Sequence, residues 1–377
     1  MKIALVRRIL TAGLLLVVFG SLYFVHAQTW KGKIIKEGDI TIVQNPKEPL
    51  YKGDIVSLKE DLRLGGPEAK GDYSFNQIQT LAVDAQENIF VLDYKESHVK
   101  VFDKTGKYLR TIGRKGQGPG ELAGPMAMAF DHPSGALLVL EAGAHRISRF
   151  DSQGKFFKAL PLKSVGGLRM RLDSIGNIFI LESVYSEKET HYVIKKFAPD
   201  MRLIAILTET PSVIDYAGAI GTNNPFGPRP SFDIDGKDRF LYGFPKLYEI
   251  QIFGPANKPV GRILKEYSPV AVTAEEIDEQ KKDTPPEIKL DFSKYHAAFR
   301  RFFPDDEGHL FVQTFEKTKT PKSYIFDVFD AEGRFMGSMP FADAPVLIKK
   351  DKLYSLEEDE DGYQIIKRYV VTWRAGR

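Results

Sequence analysis

The chain has 377 residues, 43 % hydrophobic and 12 % aromatic, which is ample for a large buried core and excludes a disordered composition. Its formal charge of +3 rests on Lys2, Arg7 and Arg8, so the remainder from residue 28 carries 50 basic against 50 acidic residues and lacks the basic face that nucleic acid requires. Zero cysteines exclude disulfides, thiolate metal sites and cysteine nucleophiles.

The first element is a targeting segment. Three basic residues precede an apolar run over 9–25, and Val25 and Ala27 satisfy the small-residue rule for signal peptidase. The expectation is a signal peptide over 1–27, cut after Ala27, and a periplasmic or secreted product. The alternative is a retained N-terminal anchor, because 17 apolar residues stand at the short limit for a spanning helix. Membrane contact is expected only in that case.

Residues 36–46, "KEGDITIVQNP", read as a strand. Downstream, a unit of four short β-rich runs recurs six times, anchored by Asp84, Asp131, Asp173, Asp235 and Asp305. The anchors are 47, 42, 62 and 70 residues apart, a base unit of about forty with insertions, which is the propeller range. "DSIGN" and "DKTGK" place Asp and Gly where tight turns need them. The runs "IFVL", "LLVL" and "IFIL" are apolar on both faces, as in sheets stacked face to face. The sixth unit is one strand short, so the strand at 36–46 is expected to complete it and close the ring. The expected fold is an all-β six-bladed propeller over 28–377, with a helical insertion within 267–298 between blades four and five.

Five glycines fall between Gly106 and Gly120. A phosphate cradle would require G-x-G-x-x-G before a helix, or a following Lys-Ser/Thr, and "GRKGQGPGEL" has neither. It reads as the passage from blade one to blade two. In blade one, Val91, Asp93, His98, Val99, Phe102, Asp103, Gly106, Lys107, Gly116, Gly118, Gly120, Glu121 and Pro125 follow one pattern. Blade two repeats it with His145, Arg146, Ile147, Phe150, Asp151, Gly154 and Lys155. With these residues the sequence resembles the NHL-repeat family. With "VQNPKEPLY" and an insertion after "KEYSPV", the chain also resembles bacterial exported six-bladed propeller proteins. The resemblance implies the fold and no reaction, since this fold hosts binders, lyases and lactonases alike.

Successive strands alternate in direction, so the short Asp-Gly turns share one face, and segments 64–75, 113–124, 210–230 and 267–298 share the other. Function concentrates on such variable loops. Thr273 and Glu276 form a capping box at the start of "TAEEIDEQKKD", a lid or docking helix or a plain surface insertion. Tyr216 and Phe226, in 210–230, are candidates for ligand contact.

The innermost strand of each blade lines a central channel. Thr80, Ala127, Arg169, Ser231 and Arg301 stand four residues before the anchoring acids, and Ala82, Ala129, Arg171, Asp233 and Phe303 stand two before them. Shielded arginines need carboxylates. Asp93, Glu141 and Glu182 occupy equivalent second-strand ends in three neighbouring blades. They either pair with the arginines or cap their own turns, or they form with Arg169, Arg171 and Arg301 a polar funnel for an anionic or metal-bridged ligand.

No paired-histidine motif, G-x-S-x-G or spaced Ser/His/Asp set is present, and "DIDGKD" and "EEDEDG" fail as calcium loops. The expected function is therefore non-catalytic binding of a protein, or of an anionic small molecule or glycan, on the variable face and channel mouth. The rival is a metal-assisted hydrolase, lactonase or lyase. No cofactor is expected, and a channel ion such as calcium would be an addition that no motif calls for.

Overall fold

A strand buried on both faces must be apolar throughout, and the runs singled out above are. Ile89–Asp93 and Ala136–Glu141 are buried at every position. A computed structural model describes residues 26–27, 29–163, 167–185, 189–215, 221–319, 323–342 and 345–374. In it the repeated units are blades of a six-bladed β-propeller, each an antiparallel sheet.

Blade one runs from Ile78–Val83 at the channel to Tyr108–Ile112 at the rim, blade two from Pro125–Asp131 to Phe156–Pro161, and blade three from Gly167–Leu172 to Leu203–Pro211. The inner strands of blades four, five and six are Ser231–Ile234, Arg301–Pro304 and Pro345–Lys349. A hydrophobic cluster fills each junction between neighbouring blades, such as Phe90, Leu92, Met128 and Leu137 between blades one and two. The sheets therefore stack through side chains, with no backbone ladder between blades among the described residues.

Blade six does lack a strand of its own, but the strand that supplies it is not 36–46. Val56–Gly65 pairs antiparallel with Gln364–Trp373, from Trp373↔Val56 to Ile365↔Gly65. The earlier strand, Ile40–Asn45, instead lies parallel to Pro259–Lys265 at the outer edge of blade four, with Lys33–Glu37 beyond it. Asn45 explains the docking. Its buried amide donates to the carbonyls of Leu264 (3.1 Å) and Gly333 (2.9 Å), and its Oδ1 accepts the Phe335 N–H (2.8 Å), joining blades four and five. Leu62 and Leu64 of the closing strand reach the blade-one turn at Gly106, where φ is +87° and a Cβ would stand 2.6 Å from Leu62 Cδ1.

The anchoring acids cap their own turns. Asp173 accepts from the Asn177 backbone (2.8 Å) and side chain (2.7 Å), and Asp305 from the His309 backbone (2.8 Å). Asp235 and Asp359, in the two calcium-like stretches, do the same for the N–H groups of Arg239 and Tyr363. The glycine-rich passage is held through its carbonyls. Arg146 donates to the oxygens of Gln117 (2.9 Å), Gly118 (3.2 Å) and Glu121 (2.8 Å), the reverse of an N–H cradle for phosphate.

Candidate functional site

The inner strands bring Arg169, Arg171, Asp233 and Arg301 to one side of the channel. Arg169 and Arg171 stand two apart on one strand, so both side chains leave the same face. Arg169 Nη2 donates to Asp233 Oδ2 (2.8 Å) and Arg171 Nε to Oδ1 (2.9 Å). One carboxylate, 9 % exposed, thus serves two guanidiniums. Arg169 also lies 5.4 Å over the Phe232 ring. Its burial and the charge of Arg171 lower its pKa to about 9, against the opposing pull of Asp233. It remains a cation at neutral pH. Arg301 Nε donates to Gln313 Oε1 (2.8 Å), a neutral partner.

The expected pairing of these arginines with Glu141 and Glu182 is corrected for Arg169 and Arg171. Both acids face outward along their own blades. Glu141 accepts from Arg146 (3.0 Å), from Ser148 and from the Ala123 N–H (2.9 Å), and Glu182 pairs with Lys195. Asp93 caps backbone, accepting the N–H groups of Asn76 (2.7 Å), Gln77 (3.2 Å) and Glu96 (3.1 Å). All three are buried and committed to strand ends, whereas Arg169 and Arg171 reach across to the next blade's inner strand. Asp233 had the right signal in the sequence, since it occupies in blade four the position Arg171 occupies in blade three.

Lys349 is the residue that sequence reasoning missed. Blade six has no anchoring acid, so its inner strand could not be aligned. Lys349 Nζ donates to the Val83 carbonyl (2.8 Å), and burial lowers its pKa. A cavity of 550 Å³ lies between Arg171, Asp233, Phe303 and Lys349, and it opens among Ser174 and Asp306. Those two belong to the short turns. The charged channel therefore opens toward the short-turn face rather than only the variable one.

Tyr216 lies outside the described residues. Phe226 is buried, but away from the channel arginines. Its ring stands 5.9 Å from Phe292 and 5.3 Å edge-on from His296, beneath the insertion helix. Helix α1 (Ala274–Asp283) has the expected capping box: Glu276 N–H donates to Thr273 Oγ1 (3.3 Å), and Thr273 N–H donates to Glu276 Oε2 (2.9 Å). The same carboxylate ties the helix to the propeller through Lys317 (2.7 Å) and His296 Nε2 (3.2 Å). Burial works to raise the Glu276 pKa, but these donors hold it down at about 2.

Comparison with known proteins agrees with this architecture. A family model described as a 6-bladed beta-propeller matches residues 68–201, which is blade one, blade two and most of blade three. The chain is 30 % identical over 112 residues to the protein brain tumor of Drosophila melanogaster, a stretch covering 29 % of this chain and 11 % of that protein. In solved structures it is similar to a member of the DUF4221 family from Bacteroides vulgatus, at 13 % identity, covering 84 % of this chain and 99 % of that one, with a TM-score of 0.58. It is similar too to a putative exported protein from Bacteroides fragilis, at 13 % identity, covering 88 % and 99 %, again with a TM-score of 0.58. The protein is a six-bladed β-propeller.

Proposed function

We propose that this is an exported, non-catalytic binding propeller that takes an anionic small molecule or glycan in its channel. The observation that carries the reading is the sharing of Asp233 by Arg169 and Arg171. Two guanidiniums on one carboxylate retain donor capacity, and planar guanidinium forks match carboxylates and phosphates. An anion seated there would also offset the burial and the repulsion from Arg171 that lower the Arg169 pKa. Export is supported by the basic-apolar leader and by the likeness to a putative exported protein. Cleavage after Ala27 would remove the two-residue strand His26–Ala27 from its pairing with Tyr51–Lys52, a loss of two ladder positions only.

The test is calorimetric titration of protein purified from the envelope with citrate and with galacturonate oligomers, at fixed ionic strength. Saturable binding that Arg169→Met weakens about tenfold or more is expected, since a charge-assisted bond contributes about 1.5–3 kcal/mol. No saturable binding by either probe, or equal binding by the variant, overturns the channel as a site. Mass spectrometry of the same protein should find Gln28 at the N-terminus, and an intact Met1 overturns the cleavage.

A further inference from the structure

A second cleft lies on the variable face, between α1 and blades four and five. It holds about 480 Å³, within the range of small-molecule pockets. Its walls are aromatic. His296 stacks on Phe315 at 4.5 Å and 12°, Phe226 meets His296 edge-on, and Phe299 and Tyr324 complete the lining. A planar group could stack here, and such pairs contribute about 0.5–1.5 kcal/mol beyond area burial.

The rim is cationic. Among the described residues Arg229 donates only to the Tyr192 hydroxyl (3.3 Å), and the Arg300 guanidinium lies 5.4 Å over the Tyr324 ring. Neither has a carboxylate partner among the described residues. Lys317 is already neutralised by Glu276. Among the described residues Glu279 is the one further acid at the rim.

His296 adds a polar requirement. Its Nε2 is held by Glu276, while its buried Nδ1 has no hydrogen-bond partner among the described residues. Burial lowers its pKa although Glu276 opposes this, so the ring is neutral at pH 7 with Nε2–H toward Glu276. Nδ1 is then a bare acceptor, costly to leave unmade. A ligand hydroxyl or amino group would satisfy it.

We infer that the cleft beneath α1 is a binding site for a small aromatic carboxylate that carries a hydroxyl or amino group. The ring would lie against Phe226 and Phe315, the carboxylate would take Arg229 and Arg300, and the donor would reach His296. This site is separate from the channel and does not depend on it.

The probe is 6-hydroxy-2-naphthoate, followed by its own fluorescence on titration with the intact chain. Saturable binding is expected. Arg229→Gln and Arg300→Gln, both at exposed positions, should each weaken it about tenfold, the equivalent of one charge-assisted bond. Glu279→Gln should tighten it about two- to threefold by removing a like charge at the rim. Excess citrate, the probe of the channel, should not displace it. Four results would each overturn the inference: absence of saturable binding, equal affinity for the neutral 6-hydroxy-2-naphthamide, unchanged affinity in both arginine variants, and competitive displacement by citrate.

Discussion

Blades one and two line the channel with Thr80, Ala82, Ala127 and Ala129, whereas blades three to five put Arg169, Arg171, Asp233 and Arg301 at equivalent positions. Both halves are built on the same strand geometry and the same turn-capping acids. The scaffold therefore tolerates small neutral residues at these positions. The other half carries charges that blades one and two do without, and Asp233 pairs with two of its arginines. That asymmetry is what the proposed anion site rests on.

Opening the ring would abolish both halves and is the largest effect expected. Removing residues 29–65 takes away the strand that pairs along Gln364–Trp373, and calorimetry should show no cooperative transition, since blade six is left with an unpaired edge. Removing 29–46 alone strips a hairpin from a blade that already has four strands. That variant should still melt cooperatively, at a lower temperature because the Asn45 bonds are lost. If both truncations behave alike, the division of roles between the two N-terminal strands is wrong.

Within the ring, Asp233→Ala should be the most costly single change at the channel. It leaves two partly shielded guanidiniums without their carboxylate, at about 3 kcal/mol, and chemical denaturation should report it as a lowered midpoint. Arg169→Met sharpens the contrast. Asp233 keeps Arg171, and one cation leaves a crowded site, so stability should stay within about 1 kcal/mol of the native chain. A loss as large as that of Asp233→Ala would make the arginine a structural partner rather than a ligand group.

The helix latch gives a pH test confined to the variable face. Glu276 titrates in the folded chain at about 2, below its ordinary value near 4.5. A depressed carboxylate stabilises fully above its ordinary value, and that contribution is lost as pH falls through the folded one. Protection of the α1 amides from hydrogen exchange, taken relative to the intrinsic rate at each pH, should therefore fall between about pH 4.5 and 2. Glu276→Gln should show the faster exchange already at neutral pH. The smallest effect belongs to the neutral half of the channel, where Ala129→Ser should shift stability by less than about 0.5 kcal/mol and leave citrate binding intact.

Much of this was legible in the chain itself. The Asp-Gly turns, the runs apolar on both faces and the forty-residue spacing together require stacked four-stranded sheets in a ring, because no single such sheet can bury both its faces. Thr273 and Glu276 gave the start of α1, since a capping box is made within four residues. Local chemistry of this kind needs only near neighbours in sequence. Partner choice across space was decided by the tertiary structure. Ile40–Asn45 and Val56–Gly65 are both competent outer strands, and what assigns them is the shape of the edge each meets: the carbonyls of Leu264 and Gly333 that Asn45 reaches, and the open edge of Gln364–Trp373. Arg169 could have faced any buried acid, and composition cannot tell Glu182 from Asp233. The ring can, because its curvature sets adjacent inner strands side by side and turns second-strand ends toward their own third strands, which is why Asp233 meets the arginines while Glu141 meets Arg146.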